Sequence, residues 1–417
     1  MSDHSDKNLS LISRRGFAAG SASLAAAATL GMPSIVRAQS GPLKIGILLP
    51  RSGAQAQIGI DCQRGADLAK DILKGAGYSD CQFMLGDTET KVDVARAQAE
   101  KLINEGAHVV VGCFDSGQTL AAAQVCEQKN IPLIVNIGAA PQLTTQGYKW
   151  IFRNFPTGPM IVKDAFVNQK WLFQSTGHTP KTIALLHVND AFGGPLAAAF
   201  GKLAPKFQMP YKIVDSIAYD PLARDLSAEV RKAKASGAEA VMTVSRLLDA
   251  IKLNREIVKQ RWDMMGIINA GPGWYEYEFM KALGKYGDDV INLIPWFDAK
   301  KPLSQELEKA FLKKYASIGS NANTNHAYTF DAVLIALDAF KRAGSTKAQD
   351  LQAALQKTNI KNNVTTGPGI TFDASGQNPN VKNSVVQNRG GKNLVVYPEE
   401  AAVTKPVWPM TPWAKRG

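Results

Sequence analysis

The stretch Val109–Gln124, "VVVGCFDSGQTLAAAQ", joins an apolar run to a short polar turn and then to a second, alanine-rich segment. The valines predict a buried strand, and the pattern from Thr119 to Gln128 predicts a helix. The first N–H groups of a helix have no partners within it, and the helix dipole places partial positive charge there. The turn around Ser116 therefore predicts a site for a small anion at the end of a strand.

The same alternation of strand and helix surrounds this stretch. Three more apolar runs predict strands, and helical patterns over Ile58–Leu73 and Val92–Asn104 separate them. These runs are "LKIGILLP" from Leu43, "CQFMLGD" and "IPLIVN". Continuous apolar strands between helices indicate a parallel sheet that is covered on both faces.

A second series begins at Lys181 with "KTIALLHVN". Helical patterns over Leu226–Lys234 and Leu248–Val258 lie between its later strands, which are "YKIVDSIAY", "AEAVMTVS", "MMGIINA" and "VINLIPW". Proline and glycine in "FPTGPM" place the connection between the two series near Phe155–Val162. The sequence thus predicts an α/β fold with two doubly wound parallel-sheet lobes.

The remainder of the chain does not continue this alternation. Helical stretches follow Pro302, and "NSVVQNRGGKNLVVYP" predicts a β-hairpin with its turn at "NRGG". We expect this last part to cross back between the lobes.

The first residues read as an export signal. Paired arginines in "SRRGFAAG" (Ser13–Gly20) precede an alanine-rich apolar segment, and "VRA" predicts cleavage after Ala38. The alternative is a membrane anchor, but the apolar segment is shorter than the ~20 residues that a span requires. We therefore expect a protein that is exported by the twin-arginine route and lies in a bacterial periplasm, without a membrane span.

Charge and cysteine content exclude two classes of partner. The formal net charge is +12, but the lysines are scattered without a basic stripe, so nucleic acid is not an expected partner. The four cysteines form no C-x-x-C pair or Cys/His cluster, which argues against zinc. They are expected to be buried free thiols or to form one disulfide, with the pairing left open among Cys62, Cys81, Cys113 and Cys126.

Sequence marks of catalysis are missing. The chain contains no G-x-G-x-x-G after a strand, no G-x-x-x-x-G-K-[ST], no G-x-S-x-G and no H-E-x-x-H. Together with the export signal, this predicts a protein that is not an enzyme. Ligands of parallel sheets bind beyond the carboxyl ends of the strands. Five such loops should edge one cleft: "CFDSGQT", "NIGAAPQLT", "NDAFGG", "VSRLLD" and "NAGPGWYE".

At these loops the sequence resembles the periplasmic binding proteins for leucine, isoleucine and valine, the type I solute-binding family that serves ABC importers. The resemblance runs from about Leu43 to Pro398 and rests on the order and spacing of several segments together. These are "KIGILLPRSG", "VVVGCFDSGQTLAAA", "IPLIVNIGAAPQLT", "FRNFP", "IALLHVNDAFG", "SAEVRKAKASGAEAV" and "GPGITFDASGQ".

The resemblance implies two lobes that are joined by three crossovers and close over a small ligand. It implies no catalysis, no cofactor, a monomer, and delivery of the ligand to the membrane permease of an ABC importer. The expected division is a signal peptide at 1–38, a first lobe at 43–157 plus about 300–375, and a second lobe at 158–299 plus about 376–405 with crossover segments.

The resemblance assigns site residues unevenly. Ser116 matches a serine that holds the ligand carboxylate, although it would also suit a helix N-cap. Ile137 and Ala139 match further contact positions, but Ala139 lacks the threonine hydroxyl of the family's amino-acid binders. Phe192 stands where the family has a tyrosine that stacks on the ligand. Arg246 matches a contact position that is commonly aromatic.

An acidic partner for a ligand ammonium is expected near Gly271 or Pro272, and neither can serve. Glu276 lies close enough in sequence to substitute for it. Because an unpaired buried ammonium is costly, we expect a small aromatic or branched organic acid with Arg246 as its bidentate partner. Apolar walls would come from Phe114, Phe192, Trp274 and Tyr275. The full set of expected ligand-binding residues is Asp115, Ser116, Ile137, Gly138, Ala139, Phe192, Arg246 and Trp274.

Three alternatives stay open at this point. A branched-chain or other amino acid is the second ligand hypothesis, with Asp115, Asp249 or Glu276 as the anion. A sensor module of the same fold is the second functional class, and an exported enzyme is the third.

Overall fold

The structure is a computed structural model that describes residues 41–416. The predicted signal peptide, with its paired arginines and cleavage site, lies outside the described residues. No helix among residues 41–416 combines the length and apolar character needed to cross a bilayer.

The first half of the chain forms a parallel sheet of five strands in the order β2-β1-β3-β4-β5. The strands are β1 (Leu43–Leu49), β2 (Cys81–Asp87), β3 (Val109–Gly112), β4 (Leu133–Val135) and β5 (Ile151–Arg153). The helices between them are α1 (Ala56–Gly75), α2 (Val92–Asn104) and α3 (Ser116–Lys129). Strands β3 and β4 are buried along their whole length, as their continuous apolar runs predict.

The next part of the chain builds a second parallel sheet. Its strands are β6 (Thr182–Val188), β7 (Lys212–Tyr219), β8 (Ala240–Val244), β9 (Ile267–Asn269) and β10 (Ile291–Pro295). Its helices are α4 (Gly158–Thr176), α5 (Gly193–Leu203), α6 (Ser227–Ala235), α7 (Leu247–Lys259) and α8 (Tyr277–Leu283). Strand β7 lies at the edge and alternates exposed with more buried residues, whereas β8 is fully buried.

The last third of the chain contributes to both sheets. Helices α9 (Pro302–Lys314), α10 (Thr324–Ala343) and α11 (Ala348–Gln356) precede a small pair of strands, β11 (Asn359–Ile360) and β12 (Ile370–Thr371). Helix α10 packs on α1 and against the first sheet. Strands β13 (Asn383–Arg389) and β14 (Lys392–Tyr397) then add to the second sheet, which has the order β14-β13-β10-β9-β8-β6-β7.

The described chain therefore passes between the two sheets three times: after β5, after β10 and after β12. This confirms the predicted fold class of two doubly wound α/β lobes with three crossovers. The predicted hairpin is also confirmed, because β13 and β14 pair antiparallel across Gly390 and Gly391, both at positive φ. We call the half built on the first sheet lobe 1 and the half built on the second sheet lobe 2.

Two predicted boundaries were wrong for local reasons. Helix α3 begins at Ser116, earlier than the expected Thr119, because the Asp115 carboxylate accepts hydrogen bonds from the N–H groups of Gly117 and Gln118. The first connection is shorter than expected, since α4 already begins at Gly158, where the Thr157 hydroxyl caps it.

Candidate functional site

A cavity lies between the lobes at the carboxyl ends of their strands. It is narrow: it leaves about 30 Å³ for the centres of water-sized spheres, and the space that no protein atom fills is about 490 Å³ when its open mouth is included. Its lining is mostly apolar and comprises Phe114, Asp115, Ser116, Ile137, Ala139, Phe155, Ile161, Phe192, Arg246, Ala270, Gly271, Pro272, Tyr275, Ile294, Pro295 and Thr324.

The lobe 1 side of the cavity is the start of helix α3. The Ser116 Oγ accepts hydrogen bonds from the N–H groups of Ala139 and Ala140, each at 3.2 Å. Because the oxygen accepts in both bonds, the hydroxyl keeps its own proton to donate. The Ser116 backbone N–H has no acceptor within residues 41–416. A helix start that offers an N–H and an O–H is suited to a carboxylate.

Hydrogen bonds from a buried arginine hold the loop after β4 in place. Arg153 is fully buried, and its guanidinium donates to the carbonyl oxygens of Gly138 at 3.1 Å and Ala140 at 2.6 Å. It also donates to the Gln377 side chain at 2.7 Å, which ties this loop to the third crossover. Burial lowers the pKa of Arg153 to about 9, which still leaves it charged at neutral pH.

Arg246 joins the two lobes across the cavity. Its guanidinium donates to Asp115 of lobe 1 at 2.5 Å and to Asp190 of lobe 2 at 2.6 Å, and it lies 5.1 Å from the centre of the Phe192 ring. Only 8% of the residue is exposed.

Asp115 and Arg246 stabilise each other's charged forms. Burial alone would raise the pKa of Asp115, but Arg246 and neighbouring donors hold it below its ordinary value. Burial would lower the pKa of Arg246, but the two carboxylates raise it instead. Asp115 and Arg246 therefore stay ionised at neutral pH.

The chain matches the model of a known protein family over residues 42–392, and the description of that family is "Periplasmic binding protein". The chain belongs to the periplasmic binding protein family. This confirms the resemblance that the cleft loops carry.

Curated relatives of this binding protein are named as Leu/Ile/Val-binding protein homologues. Homolog 8 of Brucella abortus is 26% identical over 390 residues, which cover 89% of this chain and 94% of the relative. Homolog 7 of Brucella suis is 26% identical over 385 residues, which cover 88% of this chain and 94% of the relative. The names of these relatives agree with the family model, which describes a periplasmic binding protein.

Solved structures share the fold at low sequence identity. A leucine-binding protein from Thermotoga maritima superposes with a TM-score of 0.72 at 19% identity, covering 85% of this chain and 97% of the other. An isoleucine complex from Streptococcus pneumoniae superposes with a TM-score of 0.70 at 20% identity, covering 86% of this chain and 100% of the other. A benzoate complex from R. palustris superposes with a TM-score of 0.73 at 21% identity, covering 88% of this chain and 100% of the other.

The structure brings six of the eight expected site residues to the cavity of the binding protein. Gly138 and Trp274 are not part of the lining. Trp274 is fully buried, its indole N–H donates to the Ser245 hydroxyl at 2.6 Å, and its ring packs on Phe279 in lobe 2. The prediction that Trp274 forms an apolar wall is therefore wrong for this structure, because the side chain points into the lobe. The other expected walls, Phe114 and Tyr275, do line the cavity.

Of the three proposed substitute anions, Asp115 lines the cavity, whereas Glu276 and Asp249 lie elsewhere. Glu276 is fully buried outside the lining and accepts hydrogen bonds from the side-chain amides of Asn323 at 3.0 Å and Asn325 at 2.8 Å. Asp249 accepts from the backbone N–H of Arg246 at the start of α7. One group of acidic side chains within residues 41–416 is spaced to share a metal ion, and none of its members, Asp61, Glu276 and Glu278, lines the cavity.

Sequence reasoning missed the residues that the crossovers contribute. Phe155 precedes the first crossover, Ile294 and Pro295 end strand β10 before the second, and Thr324 begins helix α10. In the sequence, the only signal for these lining residues is an apolar residue followed by proline at the end of a predicted strand, in "NFP" and in "LIP".

The four cysteines are unbonded and buried. Burial raises the pKa of Cys81 to about 11 and that of Cys126 to about 12, so these thiols stay protonated. Of the two expectations, buried free thiols are the one that the structure shows.

Proposed function

We propose that this binding protein captures a small organic acid with an apolar, aromatic or branched body, and delivers it to the permease of an ABC importer. The observation that carries the proposal is the pairing of a carboxylate site at Ser116 with a cavity whose lining carboxylate, Asp115, is already paired with Arg246.

The carboxylate would lie at the start of α3. There it would accept hydrogen bonds from the Ser116 hydroxyl and backbone N–H, and it would face the positive end of the helix dipole. Hydrogen bonds to a charged group contribute about 1.5–3 kcal/mol each, which is enough to orient the ligand.

The body of the ligand would lie among aromatic and aliphatic side chains. Phe114, Ile137 and Phe155 come from lobe 1 and its crossover, and Phe192 and Tyr275 come from lobe 2. Aromatic rings on both sides of a narrow cavity suit a flat or branched body, because burial of apolar area is the main source of affinity.

Both carboxylates near the cavity are already engaged. Asp115 accepts from Arg246 and from the start of α3, and Asp190 accepts from Arg246 and from the N–H groups of Phe192 and Gly193. A ligand ammonium would have to compete with these donors. Left unpaired in the cavity, it would cost several kcal/mol.

The same ion pairs modify the expected role of Arg246. Two of its N–H groups serve Asp115 and Asp190, so only its remaining donors can reach a ligand. We therefore assign Arg246 first to holding the lobes together and second to the ligand.

The names of the structural neighbours are compatible with either ligand class, since one was solved with benzoate and another with isoleucine. A branched-chain amino acid is thus the second candidate. We further propose that the protein acts as a monomer in the periplasm, reaches it by the twin-arginine route, and binds without turnover.

The test is a calorimetric titration with benzoate and with isoleucine, preceded by a thermal-shift screen of aromatic, branched and amino acids. We expect organic acids to bind, and we expect Ser116→Ala to lower the affinity for them at least tenfold. Ser216→Ala changes an exposed serine of β7 and serves as the matched control. Binding of zwitterionic amino acids alone would show that an ammonium partner exists and would contradict the proposed ligand class.

A further inference from the structure

Three carboxylates meet between the lobes, next to the cavity. Asp61 comes from α1, Glu276 directly precedes α8, and Glu278 lies in its first turn. One carboxylate oxygen from each residue lies within 4.8 Å of the other two, and Asp61 and Glu276 are 5% and 0% exposed. Three carboxylates this close in a dry environment repel one another strongly unless protons or a cation neutralise them.

The protein supplies only part of that charge. Arg64 donates to Asp61 at 2.6 Å. The His326 imidazole faces the same carboxylate, with its Nε2 at 3.6 Å from Asp61 Oδ1. One guanidinium does not balance three carboxyl groups, so either protons or a bound divalent cation must complete the neutralisation.

Unpaired polar atoms gather at the same place. Within residues 41–416, no hydrogen-bond partner is found for Oε2 of Glu278, Oδ1 of Asn325 or Nε2 of His326, and all three atoms are buried. Asn325 is fully buried and donates its amide to Glu276, while the His326 Nε2 lies 3.6 Å from Asp61 Oδ1. Buried polar atoms normally have partners, so this group of orphans points to a missing ligand.

We propose that a hard divalent cation of the calcium type binds between the lobes through the carboxylates of Asp61, Glu276 and Glu278. The carbonyl oxygen of Asn325 is a further available ligand. A set of carboxylate and amide oxygens without thiols is the donor set that calcium prefers.

The position of this site predicts a coupling to the cavity. Asp61 and Asn325 belong to lobe 1, and the two glutamates belong to lobe 2. Tyr275 and Thr324, which are the neighbours of Glu276 and Asn325 in the chain, line the cavity. A cation that holds these segments together should therefore stabilise the cavity walls and raise ligand affinity.

The site is tested on the EDTA-treated, dialysed protein without any organic ligand, so that the result does not depend on the proposed function. Thermal unfolding is compared in CaCl₂ and in NaCl of equal ionic strength, and calcium binding is titrated calorimetrically. We expect the melting temperature to rise by a few degrees in calcium, with one ion bound per chain. Glu278→Gln should lose at least about tenfold in calcium affinity, because one charged oxygen ligand is removed.

Asp61→Asn provides a second variant if Glu278→Gln fails to fold. Asp71→Asn is the matched control, since Asp71 also lies on α1 but pairs with Lys314 at the exposed surface. Absence of any calcium response in the parent protein would show that protons alone neutralise the cluster and would overturn the proposal. A response that persists unchanged in both variants would overturn it as well, because the ion would then bind elsewhere.

Discussion

Replacing Arg246 by methionine removes the bridge between the lobes and leaves two carboxylates without their cation. Breaking a buried ion pair by deleting one partner costs about 3–5 kcal/mol. The Asp115 side chain is 10% exposed and the Asp190 side chain 26%, so the loss falls mainly on Asp115. Both carboxylates keep backbone N–H donors, which moderates the loss. We expect Arg246→Met to lower the free energy of unfolding by about 3 kcal/mol at neutral pH.

The sign of the pH dependence gives a sharper test. In the parent protein the pKa of Asp115 is held below its ordinary value, so its contribution to stability is present at neutral pH and is lost as the pH falls through that lowered pKa. In Arg246→Met, burial is no longer opposed by the guanidinium, and the pKa of Asp115 should rise above that of the unfolded chain. Stability of the variant should then increase as the pH falls through that raised pKa toward the pKa of the unfolded chain.

Urea unfolding, followed by tryptophan fluorescence at about pH 7.5 and about pH 5, measures both effects. Arg96→Met is the matched control, because Arg96 is exposed and its replacement should change stability by less than about 0.5 kcal/mol. If Arg246→Met is as stable as the parent at neutral pH, or if the difference between them does not shrink in acid, the bridge does not carry the energy that we assign to it.

Three further outcomes follow from the structure. Phe192→Leu should weaken an aromatic acid more than an aliphatic one in calorimetric titration, since it removes a ring from the cavity; equal losses would argue against stacking. Trp274→Phe should lower stability by about 1–3 kcal/mol, because the Ser245 hydroxyl loses its buried partner, and should leave ligand affinity unchanged. Cys81 and Cys126 should react with a thiol reagent only after unfolding, and rapid labelling of the native protein would contradict their burial and raised pKa values.

The fold could be predicted from the sequence because its signals are local. Buried strands such as β3 and β4 are continuous apolar runs, and the hairpin turn at Gly390 and Gly391 is encoded in adjacent residues. Helix α3 could be predicted for the same reason, but its first residue could not, because the expected start at Thr119 left out the cap that Asp115 provides. The division of the chain between lobes required the resemblance as well, because nothing local tells which sheet β13 will join.

The site could be predicted only in part, because its key contacts are not local. Arg246 is 131 residues from Asp115 and 56 from Asp190, and no pattern in the sequence announces either ion pair. The direction of a side chain in a loop is equally hidden. Trp274 and Tyr275 are adjacent, yet one is sealed in lobe 2 and the other reaches the cavity.

This distinction changes where ligand selectivity must arise. The guanidinium of Arg246 is already shared by two carboxylates, so a ligand carboxylate gains less from it than from a free cation. The stronger attraction must then come from the unshared donors at Ser116 and from the dipole of α3. In the proposed function these donors would recognise a carboxylate and would be indifferent to an α-amino group. Selectivity among carboxylate ligands must therefore come from the shape and apolar character of the cavity between Phe114 and Phe192, which contacts the rest of the ligand.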